Sequence, residues 1–109
     1  MLEVKKVLVQ IENNISAVLD HESSIGNDLW QILIEQHPAD IAMLVTRLDH
    51  QHQIALLKKL PAQIGTAVFE WLPSNVQAML LVQLDLTQAT TILHAISADE
   101  LTDIFDNLS

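Results

Sequence analysis

From His37 to Ser109 the apolar positions recur every twelve residues. One column holds Leu48, Leu60, Leu72, Leu84, Ile96 and Leu108; a second holds Leu44, Leu56, Val68, Leu80, Ile92 and Ile104. A third holds Val45, Leu57, Phe69, Leu81, Leu93 and Phe105. Each residue of the first column is followed by a breaker or cap: Asp49, Pro61, Pro73, Asp85, Ser97, Ser109. A period of twelve holds about two helical turns and a short connector. Helices that short are marginal alone in water, because nucleation costs more than a few hydrogen bonds return. They must bury their apolar faces against one another, so the structural repeat is a helix pair of about two dozen residues. The expected fold is all-α: a right- or left-handed superhelix of short helical hairpins, armadillo- or solenoid-like.

Ahead of the ladder, Val4, Val7, Leu8, Ile11, Ile15, Val18 and Leu19 form the i, i+3, i+4, i+7 stripe of one amphipathic helix over Leu2 to Leu19. It should cap the stack, giving an N-terminal element over 1–22 and a helical-repeat domain over 23–109. Ser23, Ser24 and Gly26 predict a break, with Asn27 or Asp28 capping the next helix. His37-Pro38-Ala39-Asp40 starts the ladder, with Pro38 in the first turn and Asp40 near the positive end of the helix dipole. Ser74 to Gln77, Asp85 to Gln88 and Ser97 to Glu100 each have the spacing of a capping box.

The 109 residues suffice for one domain, and no apolar run approaches the roughly 20 residues needed to cross a bilayer. Glu12, Asn13 and Asn14 interrupt any signal-peptide core. With no cysteine, disulfides, thiolate nucleophiles and cysteine-ligated zinc are out, which fits a reducing, intracellular setting. The only glycines are Gly26 and Gly65, so there is no phosphate-binding loop, and no local catalytic signature appears; enzymatic activity is not expected.

Charge changes the picture more. The net charge is -9, and no Lys or Arg follows Lys59, whereas Glu70, Asp85, Asp99, Glu100, Asp103 and Asp106 do. Such a surface repels nucleic acid and anionic lipid, and favours cations or a basic protein surface. Asp99, Asp103 and Asp106 are spaced i, i+4, i+7 and share one helix face, while Leu101, Ile104, Phe105 and Leu108 take the other. Their mutual repulsion, about 1 kcal/mol or less per close pair, would be relieved by a divalent cation. Mg²⁺ keeps most of its waters and takes one or two carboxylates, so this face alone should bind weakly. His50 and His52 diverge on a helix and suit exposed turn positions better than a metal site. His37 fits a cap, His94 should border the core, and Trp30, Trp71, Phe69 and Phe105 are expected to pack between repeats.

The start His37-Pro38-Ala39-Asp40-Ile41-Ala42-Met43-Leu44, the Leu60-Pro61 and Leu72-Pro73-Ser74-Asn75-Val76-Gln77-Ala78 boundaries and Ile96-Ser97-Ala98-Asp99-Glu100-Leu101 together resemble the N-terminal cytosolic domain of MgtE-type magnesium transporters. The resemblance covers about Asp28 to Ser109. It implies a superhelical regulatory domain at the cytoplasmic face of the inner (plasma) membrane. There it would stand ahead of a pair of CBS domains and a transmembrane pore, in a longer and homodimeric parent chain. It also implies gating: acidic surfaces of this domain and the CBS domains meet when Mg²⁺ lies between them, and separate without it. Asp99 and Glu100 match the family's acidic pair after the serine cap, so Asp99, Glu100, Asp103 and Asp106 are the expected Mg²⁺ ligands, shared with the partner domain. The often acidic family position after Pro61 is Ala67 here, with Glu70 one turn away. The middle domains of the flagellar motor protein FliG have a similar repeat, which makes an ion-independent interaction scaffold the alternative.

Overall fold

The computed structural model describes residues 2–20 and 24–108. Among these lie nine α-helices and no strand. They are α1 (Leu2–Asn13), α2 (Ile15–Asp20), α3 (Ser24–Ile34), α4 (Pro38–Arg47), α5 (His50–Lys59), α6 (Ala62–Glu70), α7 (Ser74–Gln83), α8 (Leu86–Ala95) and α9 (Ala98–Leu108). The all-α expectation holds.

From α4 onward the twelve-residue unit is a helix of nine to eleven residues followed by a connector of two or three. The helices are therefore nearer three turns than two. The connector is the first-column residue plus its breaker. Leu48, Leu60, Leu84 and Ile96 take extended backbone angles at the helix C-cap, which stops each helix. Their side chains still turn inward and are buried. Each helix packs on the next but one: α4 on α6 and α6 on α8 in one layer, α5 on α7 and α7 on α9 in the other. The two-dozen-residue repeat is thus the true period of the stack, and the molecule is elongated, 40 × 28 × 22 Å.

The columns explain the core. Leu44, Leu56, Val68, Leu80, Ile92 and Ile104 are all buried, as is every described side chain of the first column. The side chain of Leu108 and the expected boundary between residues 22 and 23 lie outside the described residues.

Burial of this apolar area supplies the driving force that such short helices lack by themselves. The third column behaves differently: Val45, Leu57 and Phe69 are buried, Leu81 and Leu93 only partly, and Phe105 is exposed.

Further expectations need correction. The N-terminal amphipathic stripe is two helices, because Asn14 interrupts it. The Asn14 side-chain Nδ2 donates to the Gln10 carbonyl at 2.8 Å, competing locally with the backbone ladder. The next helix starts at Ser24 and runs through Gly26, Asn27 and Asp28, so neither of the last two is its cap. Packing of α3 along α2, with Gly26 buried, outweighs the roughly 1 kcal/mol that glycine costs inside a helix. Ser74 does not cap α7: Pro73 takes the cap position, with no side-chain bond. Finally, His94 is exposed and does not border the core.

The other caps form. His37 Nδ1 accepts from the Ala39 N–H at 3.0 Å, Asp49 Oδ1 from His52 at 2.9 Å and Asp85 Oδ1 from Gln88 at 2.8 Å.

Candidate functional site

The last helix carries the candidate site. Ser97 precedes α9, and its Oγ accepts the Glu100 backbone N–H at 3.3 Å. Asp99 and Glu100 occupy the first turn, where carboxylates are stabilised by the unpaired N–H groups of the helix start. Ile104 is fully buried and Leu101 half-buried against α7, which fixes the helix rotation. That rotation leaves Asp99, Glu100, Asp103 and Asp106 exposed, as expected. No base lies in the last turn of α9.

Exposure also limits what this flank can do. Among the described residues no three of His, Asp and Glu converge tightly enough to hold a metal ion. The flank can offer one or two carboxylates to an ion that keeps most of its water, which is the mode Mg²⁺ accepts. A closed coordination cage is not built on this face.

The remaining candidates stand apart from it. His52 Nδ1 lies 3.0 Å from Asp49 Oδ1, a pair local to the start of α5, and His50 is exposed. Glu70 is exposed at the end of α6, and Ala67 is half-buried there. A recess of about 190 Å³ between α5, α6 and α8 is lined by Leu57, Gly65, Thr66, Leu84, Gln88 and Ile92, with no ionisable side chain. Of the aromatic residues, Trp30 and Phe69 are buried as expected, but Trp71 is 58% and Phe105 54% exposed. Trp71 ends α6 one residue before the Leu72 rung. Its ring meets His37 edge-on, centroids 5.9 Å apart at 71°.

Comparison with known families decides the identity. A family model described as the MgtE intracellular N domain matches residues 36–109. The chain belongs to this family. The MgtE intracellular N domain match begins at Gln36, immediately before the His37 cap, and takes in α4 to α9; α1 to α3 precede it. No curated protein and no solved structure matches the chain. None of the helices described is long and apolar enough to cross a membrane.

Two residues of this MgtE N domain escape sequence reasoning altogether. Gln53 and Gln77 are 4% exposed, in the second helix of consecutive pairs and 24 residues apart. Gln53 Nε2 donates to the Val45 carbonyl at 2.8 Å, and Gln77 Nε2 to the Phe69 carbonyl at 2.7 Å. Each amide thereby ties the end of one helix to the start of the next. The signal was available: the twelve-residue frame places both glutamines beside apolar columns, where an amide needs a partner.

Proposed function

We propose that this domain is the Mg²⁺-responsive regulatory module of a magnesium transporter. It gates the pore by docking its α9 flank against CBS domains of the same longer chain, at the cytoplasmic face of the plasma membrane and within a homodimeric parent. Asp99, Glu100, Asp103 and Asp106 supply the charge. With Mg²⁺ between the domains the carboxylates are neutralised and docking favours a closed pore. Without it they repel, the domains part, and the pore opens. The observation that carries this reading is an exposed, base-free carboxylate flank on the last helix of an MgtE intracellular N domain. An ion held by one or two carboxylates and its own waters binds weakly to one face and more firmly between two. That requirement makes occupancy report ion concentration.

The test is a titration of the domain with MgCl2, followed by backbone amide NMR, against NaCl of matched ionic strength. Amides of 99–106 should shift at millimolar Mg²⁺ beyond the control, and Asp99→Asn with Asp103→Asn should remove the difference. In the longer chain, Mg²⁺ should protect α9 from proteolysis. Shifts equal to the control together with Mg²⁺-independent proteolysis would defeat the proposal. That outcome would leave a helical-repeat scaffold without ion dependence, a reading to which the exposed Trp71 and Phe105 lend weight.

A further inference from the structure

The repeat is broken at one inner contact. Helix α4 packs on α6 as α6 packs on α8, so positions 24 residues apart hold equivalent places in the two contacts. In the first contact Ile41 is fully buried and Ile64 is partly buried against the core. Their counterparts in the second are Gly65 and Gln88. One apolar side chain is thus replaced by none and the other by an amide. The recess of about 190 Å³ opens there, with both residues in its wall.

Glycine inside a helix costs stability, and neither usual reason for one applies at Gly65. Its backbone is helical, and a Cβ there would meet Leu57 and Leu60 atoms at 3.8 and 3.9 Å, in ordinary contact. What the glycine does is keep the recess open. Gln88 is the second departure. Its Nε2 donates to the Lys58 carbonyl at 3.3 Å, which fixes the amide's orientation, since the reverse would set two oxygens together. Its Oε1 is buried and accepts no hydrogen bond. A buried acceptor without a donor is costly, and Ile64 shows that this place in the repeat accommodates an apolar side chain. Thr91, in the same wall, spends its hydroxyl proton on the Thr87 carbonyl at 2.9 Å, which leaves its oxygen to accept.

We infer that the recess between α5, α6 and α8 is a binding site for a small uncharged molecule of phenol size, with an apolar body and one hydroxyl that donates to Gln88 Oε1. An engineered apolar cavity of about 150 Å³ takes up benzene, so this recess has room for one ring and little more. No ionisable side chain lines it, and an ion entering it would lose its water without meeting a counter-charge. The site uses none of the α9 carboxylates and needs no Mg²⁺, so it stands or falls separately from the gating reading.

Phenol and toluene are matched probes of this site. Toluene is the less soluble in water, so a recess that only buries apolar surface takes toluene more tightly. The domain, with labelled Ile, Leu and Thr methyl groups, is titrated with each in EDTA. Phenol should give saturable shifts at Leu57, Thr66 and Ile92. It should bind at least about fivefold more tightly than toluene, the factor that one hydrogen bond to a buried acceptor supplies. Gln88→Met keeps the volume and should reverse the preference. Gly65→Ile restores the side chain found at Ile41 and should abolish binding of both probes. Should isoleucine disturb α6, the reversal in Gln88→Met still reads the site. The inference is overturned by the lack of a saturable phenol shift, or by a preference for toluene in the unaltered domain. An unchanged preference in Gln88→Met overturns it too, as does phenol binding that survives in a folded Gly65→Ile. Shifts centred instead on the groove between Leu8 and Met43 would also overturn it.

Discussion

Gln77 reaches back eight residues and donates its Nε2–H to the Phe69 carbonyl at 2.7 Å, inside the core. The same carbonyl accepts the Leu72 N–H at 3.1 Å, so one oxygen holds both the helix end and the following helix. Gln53 does the same one repeat earlier, at the Val45 carbonyl, which also accepts the Leu48 N–H at 3.1 Å. A buried amide is tolerated in an apolar stack because its hydrogen bond offsets most of its desolvation.

This pair predicts unequal costs for like substitutions. Gln77→Met keeps the volume, loses the bond and should destabilise by about 1 kcal/mol. Gln53→Met should cost less, because Gln53 Oε1 is buried without a partner and its removal relieves that penalty. Urea unfolding of both variants checks the order. A larger loss at position 53 would show that the orphan oxygen is satisfied in solution.

Gly65 lies within α6 and is buried. A Cβ built there would meet the Leu57 carbonyl oxygen and Leu60 Cβ at 3.8 Å and Leu57 Cδ1 at 3.9 Å, all ordinary contacts. Nothing in the packing requires glycine. Gly65→Ala should therefore gain up to about 1 kcal/mol in denaturant unfolding, through helix propensity and a less flexible unfolded chain. A loss of stability would mean that the α5–α6 contact is tighter in solution.

Two boundary residues that look alike in sequence should behave differently. Asp85 accepts the Gln88 N–H at 2.8 Å, so Asp85→Ala should cost about 1 kcal/mol. Ser74 makes no capping bond, and α7 starts instead behind Pro73, whose fixed φ suits the helix entry. Ser74→Ala should be within about 0.5 kcal/mol of neutral. Equal thermal shifts for both would refute the assignment of the α7 cap.

These contrasts show what was legible in the sequence. The period of twelve reported the stack, its core columns and most caps, because apolar spacing is a direct image of which faces are covered. The exposed acidic flank of α9 was legible for the same reason: Leu101 and Ile104 fix the rotation, and the aspartates follow from it. The Asn14 break was not, since a side chain that competes for a carbonyl leaves the apolar stripe unchanged. Ser74 misled because its neighbours fit a capping box, while Gln77, the box's fourth member, is drawn into the core by Phe69. Trp71 and Phe105 misled for different reasons. Phe105 lies on the third column, whose burial falls from Phe69 through Leu81 and Leu93. Trp71 shares its twelve-residue register with Arg47, Lys59, Gln83 and Ala95, all exposed, so its position marked an outer face while its residue type suggested the core.

The two tryptophans give the most direct spectroscopic reading of that distinction. Trp30 is 6% exposed on α3, whereas Trp71 is 58% exposed beside His37. Trp30→Phe should leave red-shifted emission that acrylamide quenches readily, and Trp71→Phe should leave blue-shifted, protected emission. Their stability effects should also differ. Trimming a buried tryptophan opens a void in a close-packed interior, at a cost of several kcal/mol for alanine and less for phenylalanine. Trp71→Phe removes little buried area and should cost under about 1 kcal/mol. A protected Trp71, with emission as blue as that of Trp30, would mean that something in solution already covers the end of α6. The exposed aromatic face there would then be an occupied interface.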